Sequence, residues 1–203
     1  FLGSNINLVK AHNLRAVLLS LLHENQLSRV QLAHKTNLSI IQILPINDTT
    51  ANYSWTDSYP YAAISVYALH PQYLSLESLQ YAIPESLQKE YIVKKEELNA
   101  EKFVDYEQMI SGKWKFLHVI FETHKNEILK DKEFIKFLKE NTDWLKPYVA
   151  FCVLRDKNNT PNFNNWKTHK KYVAGKIAQM FESNHADYEA VMLHAWVQYQ
   201  LHL

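Results

Sequence analysis

Residues 40–74 read IIQILPINDTTANYSWTDSYPYAAISVYALHPQYL, and the reading of this stretch decides the fold. Its first seven residues, Ile40 to Ile46, are an almost unbroken aliphatic, largely β-branched run. Such a run fits a strand buried on both faces, as in a parallel α/β sheet. Pro45 sits at the end of the run, where a missing ladder hydrogen bond costs least. A polar and aromatic loop follows, Asn47 to Pro60, with Asp48, Thr49, Thr50, Asn52, Trp55, Asp57 and Ser58. The pattern then turns helical, over Tyr61–Leu69, and Pro71 stops it.

Downstream, short helices are expected over Ser75–Tyr81 and Pro84–Lys94, Pro84 being suited to a first turn. Asp105 with Gln108 makes a capping-box start for a long helix reaching about His124. Helices over 131–140 and 143–156 follow, with Asn141 or Thr142 between them and Pro147 in the first turn of the second. Asn158 to Asn165 reads as a loop, and helices over about 170–182 and 186–203 complete the pattern. One strand is not a stable sheet alone. Either helices carry the fold or the chain is a piece of something larger.

Upstream, residues 6–24 repeat Leu and Ala at helical spacing. Ser28 can cap a second short helix to about Thr36, after the link Asn25-Gln26-Leu27. Helix, short turn, helix is the outline of a helix-turn-helix. Residues 1–39 carry net charge +3 and the remainder −2, and Leu gives way to Tyr, Trp and Phe. These shifts place a boundary near Ser39.

The 203 residues are 47% hydrophobic and 21% charged, which excludes a disordered chain, and the 3 glycines exclude a linker or collagen-like one. No continuous apolar stretch is long enough to cross a bilayer, so a membrane partner is not expected. No signal peptide is legible, and Cys152 alone excludes an intrachain disulfide or a multi-cysteine zinc site. A cytosolic protein is the natural reading. His118 with His124, and His194 with His202, lack the i, i+4 spacing of a helical zinc motif, so no metal is expected. Cys152, beside Val149 and Val153, reads as a buried small hydrophobe.

The segment resembles the amylomaltase family, the 4-α-glucanotransferases of glycoside hydrolase family 77. The residues that carry this are Gln42–Pro45, then Asp57-Ser58-Tyr59-Pro60-Tyr61, then Ser65 through Leu74 in the pattern S-x-x-A-L-x-P-x-Y-L. VDYEQMISGKWKFL and FIKFLKENTDWLKPYVAFCVLRDKNNTPNFNNW resemble the helical region that follows. The resemblance spans residues 40–203. It implies a mainly α chain that is a fragment of a (β/α)8-barrel enzyme, one barrel strand and loop (40–74) and a helical subdomain (75–203).

A barrel puts its binding loops after the C-terminal ends of its strands, where 47–61 stands. Sugars need aromatic faces for their rings and carboxylates or amides for their hydroxyls. Trp55, Tyr59, Tyr61, Asn47, Asp48 and Asp57 supply these. The resemblance implies that Tyr61 is the stacking platform, and that Asp57 and Ser58 orient the turn or bind hydroxyls. On residue chemistry alone, Tyr61 and Trp55 read as core. The family transfers glucosyl or maltosyl units between maltose, maltodextrin or glycogen-like glucans, without a cofactor, by retaining transglycosylation on two carboxylates. Those carboxylates belong to later barrel strands and their motifs do not occur here, so no catalytic residue is assigned and the isolated chain is expected to be inactive.

Residues 7–39, NLVKAHNLRAVLLSLLHENQLSRVQLAHKTNLS, resemble the opening of the helix-turn-helix in ROK-type sugar-responsive repressors, truncated before the recognition helix. This alternative implies DNA as partner, with Arg29, His34 and Lys35 as contacts. Those three residues read equally as a solvated helix face, since phosphate binding wants more basic groups.

Overall fold

The structure, a computed structural model, describes residues 15–21, 29–36 and 44–203. The chain divides into two compact units, 1–44 and 45–203. In the first, residues 15–21 and Arg29–Thr36 are helical, matching the two expected helices where they are described. The link 25–27 and the cap Ser28 lie outside the described residues.

The second unit is built from six helices: α1 (Glu85–Ala100), α2 (Tyr106–Ile128), α3 (Lys132–Glu140), α4 (Thr142–Asn158), α5 (Ala174–Gln179) and α6 (Tyr188–Leu201). The start of α2 follows the expected chemistry, because the Asp105 carboxylate accepts the Gln108 amide at 2.9 Å. Asp131 caps α3 in the same way through the Glu133 amide, at 2.9 Å. α4 ends at Asn159, which takes the left-handed conformation (φ 51°) that closes many helices. Pro147 is the sixth residue of α4, one turn later than expected, inside the helix.

α6 is the centre of the core. Ten consecutive residues, Val191 to Gln200, are buried, so the helix is enclosed on every side. It packs against α2, α3 and α4. Trp196, fully buried, meets Phe121 of α2 at 5.9 Å, and Tyr199 meets Phe134 and Phe137 of α3, each at 5.5 Å. Ring pairs at this spacing add to the burial of their area. Cys152 is buried in the same core, and burial pushes its thiol up to about 12, as befits an inert side chain.

The expected mainly α class holds, and several local expectations are corrected. Residues 40–43 of the expected strand lie outside the described residues. Leu44–Ile46 join no strand, and the described residues contain no β-strand. One antiparallel bridge pairs Asn47 with Leu69. Around it the Asp48 amide donates to the Ala68 carbonyl (2.8 Å), the His70 amide to Ile46 (2.9 Å) and the Ile64 amide to Asp48 (2.8 Å). The expected helix over Tyr61–Leu69 therefore does not form, because its backbone groups are engaged across the chain and Ile64 and Val66 suit extended backbone.

The far edge of Leu69 is closed by a side chain. Gln198 of α6 accepts the Leu69 amide (2.9 Å) and donates to its carbonyl (2.8 Å), taking the place of a neighbouring strand. The expected helix over Ser75–Tyr81 shrinks to a 3₁₀ turn, Leu76–Ser78, and the one over 170–182 to α5. His169, in the left-handed region (φ 60°), breaks the latter before it starts.

Lys113 of α2 fastens the chain after the bridge. Its ammonium donates to the Gln72 carbonyl (2.5 Å) and the Leu74 carbonyl (2.8 Å). Burial without a carboxylate pulls the amine down to about 8. An unfolded Lys stays protonated to about pH 10.4, so between about pH 8 and 10 the unfolded chain binds more protons than the folded one. Stability relative to a Lys113→Met variant is therefore expected to rise with pH across that window. Urea unfolding of both proteins at pH 7 and pH 10 checks this, and an unchanged difference refutes it.

Candidate functional site

The loop 47–61 is organised by two buried carboxylates. One oxygen of Asp57 accepts three successive amides, those of Ala51 (2.9 Å), Asn52 (2.8 Å) and Tyr53 (2.7 Å). Wrapping three amides around one oxygen bends the backbone sharply, and Tyr53 takes a left-handed φ of 57° to do so. Asp48 accepts the Thr50 amide (2.9 Å) and hydroxyl (2.6 Å) on one oxygen, and the Tyr148 hydroxyl of α4 (2.7 Å) on the other. The Thr49 hydroxyl donates to the Asp57 carbonyl. Both carboxylates face the protein, with exposures of 1% for Asp48 and 4% for Asp57.

A charged cluster anchors the loop to α4. Arg155, 2% exposed, donates to the Thr50 carbonyl, to the Tyr53 hydroxyl (2.6 Å) and to Asp156 (2.8 Å). Its guanidinium lies over the Tyr53 ring at 4.7 Å. Asp156 also receives the Tyr53 hydroxyl (3.2 Å) and faces His194 of α6 (3.2 Å). Burial works to raise the Asp156 carboxyl, but the hydrogen bonds from His194 and Arg155 and the charge of Arg155 outweigh it and hold the group below the usual range. A cavity of about 480 Å³ opens beside this cluster, lined in part by Asn52, Tyr53, Trp114, His118, Arg155 and His194.

Behind the loop, His70 accepts the Gln72 amide on Nδ1 (3.0 Å), so its Nε2 carries the proton and faces the Tyr106 hydroxyl (3.0 Å). Burial lowers the His70 pKa, in keeping with this neutral tautomer.

The aromatic residues point the other way. Trp55 is 70% exposed, Tyr59 60% and Tyr61 54%, and the two tyrosines meet edge to face at 5.6 Å. Trp55 starts a 3₁₀ turn, Trp55–Ser58, whose carbonyl side is fixed by the Ser58 hydroxyl donating to the Trp55 carbonyl (2.7 Å). The Trp55 amide donates to Glu107 of α2 (3.1 Å). Asn47 donates its side-chain amide to the Val66 carbonyl (2.9 Å), at the bridge.

The structure thus gathers the seven residues singled out in the sequence into one loop and splits them by role. Asp48 and Asp57 hold the backbone, Asn47 and Ser58 brace its ends, and Trp55, Tyr59 and Tyr61 present rings to the surface. Arg155, Asp156, Tyr148, Tyr53 and His194 were not legible as partners, since most lie about a hundred residues from the loop with no local motif. His34 and Lys35 are exposed on the helix Arg29–Thr36 of the other unit. Among the described residues no group of three or more His, Cys, Asp or Glu could hold a metal. None of their helices is long and apolar enough to cross a membrane.

Known proteins resemble this chain along most of its length. The chain is 36% identical over 174 residues to the 4-alpha-glucanotransferase DPE2 of Oryza sativa subsp. japonica, covering 86% of this chain and 18% of that protein. It is 36% identical over 154 residues to the 4-alpha-glucanotransferase of Chlamydia caviae, covering 75% of this chain and 28% of that protein. With the 4-alpha-glucanotransferase of Synechocystis sp. it shares 29% identity over 136 residues, 63% of this chain and 24% of that protein. The chain therefore spans less than a third of the length of these relatives. No solved structure matches it. The glycoside hydrolase 77 profile, 4-alpha-glucanotransferase, matches residues 23–203, starting upstream of the boundary near Ser39 and running through the loop and all six helices. On that match the chain belongs to the 4-alpha-glucanotransferase family, glycoside hydrolase family 77.

Proposed function

We propose that this chain supplies a glucan-binding loop to a 4-alpha-glucanotransferase that moves glucosyl or maltosyl units between α-1,4-glucans. The observation that carries the reading is the loop 47–61, with three exposed rings on a backbone locked by Asp57. Rings already held in place give a sugar an apolar platform at little ordering cost. Tyr61 is the proposed stacking face, with Trp55 and Tyr59 beside it. Ser58 and Asn47 brace the ends of the platform, and the two acids act on it through the backbone they hold. Maltose, maltodextrin or a glycogen-like glucan is the proposed substrate class, the location cytoplasmic, and no cofactor is invoked.

The transfer itself is retaining, on a nucleophilic carboxylate and an acid/base carboxylate. Neither role is given to an acid of this chain. Asp48 and Asp57 are engaged by amides and hydroxyls, and Asp105 caps a helix. The proposed organisation keeps a strand and loop over 40–74 and a helical subdomain over 75–203, within a barrel completed by other parts of the enzyme. The repressor-like reading of residues 1–39, with Arg29, His34 and Lys35 on DNA, keeps only its resemblance as support.

Maltoheptaose is expected to change the tryptophan fluorescence of the chain, because Trp55 lies in the loop. Tyr61→Ala is expected to weaken the response about tenfold or abolish it, a loss of about 1.4 kcal/mol or more, with the urea midpoint unchanged. A full response in Tyr61→Ala sinks the platform assignment.

A further inference from the structure

Residues 157–181 contain five lysines and no Asp or Glu. This stretch carries net charge +5 in a chain whose total is +1, so the other residues sum to −4. Lys157 pairs with Asp187 at 2.7 Å. Lys167, Lys170, Lys171 and Lys176 are exposed, and none of them makes an ion pair among the described residues. Like charges gathered on one segment without counter-ions raise the local positive potential and favour an anion.

The same segment folds over a cavity of about 230 Å³. Phe151, Leu154 and Ile177 form its apolar floor, and Lys170 and Lys171 stand at it together with the rings of Phe163 and Tyr172. Phe163 is 51% exposed and Tyr172 67%. The rim is fixed from within. The Trp166 indole, buried against Phe151 at 5.8 Å, donates to the Thr160 carbonyl at 2.8 Å. His169, in the left-handed region (φ 60°), turns the chain so that the two lysines follow at once. This cavity lies apart from the loop 47–61 and shares no lining residue with the cavity beside Arg155.

Two features act together here: exposed aromatic faces over an apolar floor, and cations free to meet an anion. A ring with an apolar face and a charged oxygen cluster satisfies both. We propose that this lysine-rimmed cavity binds a sugar phosphate, with Lys170 and Lys171 on the phosphate and the sugar ring against Tyr172 and Phe163. Charge-assisted hydrogen bonds to phosphate oxygens are the stronger part of such contacts, and stacking fixes the ring. Nucleic acid is the weaker match, because a specific interface needs about 600 Å² or more and many phosphate contacts, whereas this cavity seats one ring. The choice of a sugar as the ring rests on the proposed glucan function.

The test is calorimetric titration of the 203-residue chain with glucose 1-phosphate, glucose, inorganic phosphate, maltoheptaose and a DNA oligonucleotide. Saturable binding of glucose 1-phosphate, weakened by salt, is expected, with glucose and inorganic phosphate each at least about tenfold weaker. The double variant K170E/K171E is expected to lose at least about tenfold in affinity, and Tyr172→Ala several-fold. All three positions are exposed, so unchanged circular dichroism is expected of both variants.

Undiminished binding in K170E/K171E overturns the proposal. So does inorganic phosphate binding as tightly as glucose 1-phosphate, or the oligonucleotide binding more tightly than either. Retained maltoheptaose binding with no sugar phosphate binding defeats this proposal alone. The reverse pattern supports the cavity and defeats the glucan-loop reading.

Discussion

Replacing Arg155 with methionine is expected to lower the unfolding free energy by about 3–5 kcal/mol, the cost of breaking a buried charge network from one side. The guanidinium serves four groups at once: the Thr50 carbonyl, the Tyr53 hydroxyl and ring, and the Asp156 carboxylate. Methionine fills much of the same volume but makes none of these bonds. The Thr50 carbonyl is left buried without its donor, and Asp156 keeps only Tyr53 and His194. The loss also has a pH signature. Asp156 is depressed in the folded protein, so its contribution is present above about pH 4 and is lost as pH falls through its folded value. Without Arg155, two of the influences that lower the carboxyl are gone and its folded pKa rises, so the acid-linked loss from Asp156 is expected to be smaller in the variant and the gap between parent and variant to narrow as pH falls. Urea unfolding from pH 3 to pH 7 reads both effects. A variant within about 1 kcal/mol of the parent, with the same acid profile, means the cluster contributes little.

How much of this was legible in the sequence follows from how far each cause reaches along the chain. Helix α2 was legible because its start is local chemistry, Asp105 and Gln108 three residues apart. Helix α3 was legible for the same reason, with its cap and its apolar stripe within nine residues. Tyr61–Leu69 misread as helix because its conformation is set by partners elsewhere, the backbone of 46–48 and the amide of Gln198. A glutamine on a helix gives no sign that it will close the edge of an extended segment 129 residues away. The central place of α6 was hidden in the same way. His194, Gln198 and Gln200 are polar, yet all three are buried, two of them bonded to distant groups. The loop residues were found through resemblance, which left open whether Asp57 orients the turn or binds hydroxyls and gave Asp48 no bracing role. Composition marks Asp48 and Asp57 as sugar ligands as readily as it marks the rings, and burial alone separates them.

That division leads to the sharper test of the site. Asp57→Ala is expected to abolish the glucan response although Asp57 need not touch glucan. Its oxygen is the shared acceptor for the amides of Ala51, Asn52 and Tyr53. Removing it strands three donors in a half-buried turn, at about 1–3 kcal/mol for each that water does not reach. It also removes what holds Tyr53 in the left-handed region, an unfavourable conformation for a residue with a side chain. The turn is then expected to open, and Trp55, Tyr59 and Tyr61 to lose their fixed arrangement. Asp57→Asn keeps an acceptor oxygen but not its charge, so an intermediate effect is expected. Hydrogen exchange gives the readout that separates positioning from direct contact. In the parent the amides of residues 51–53 are expected to be protected, in Asp57→Asn partly so, and in Asp57→Ala to exchange as an open loop does. Tyr61→Ala removes the glucan response with those amides still protected. If Asp57→Ala loses the response while protection at 51–53 persists, Asp57 acts on the sugar itself, and the reading of it as the residue that shapes the platform fails.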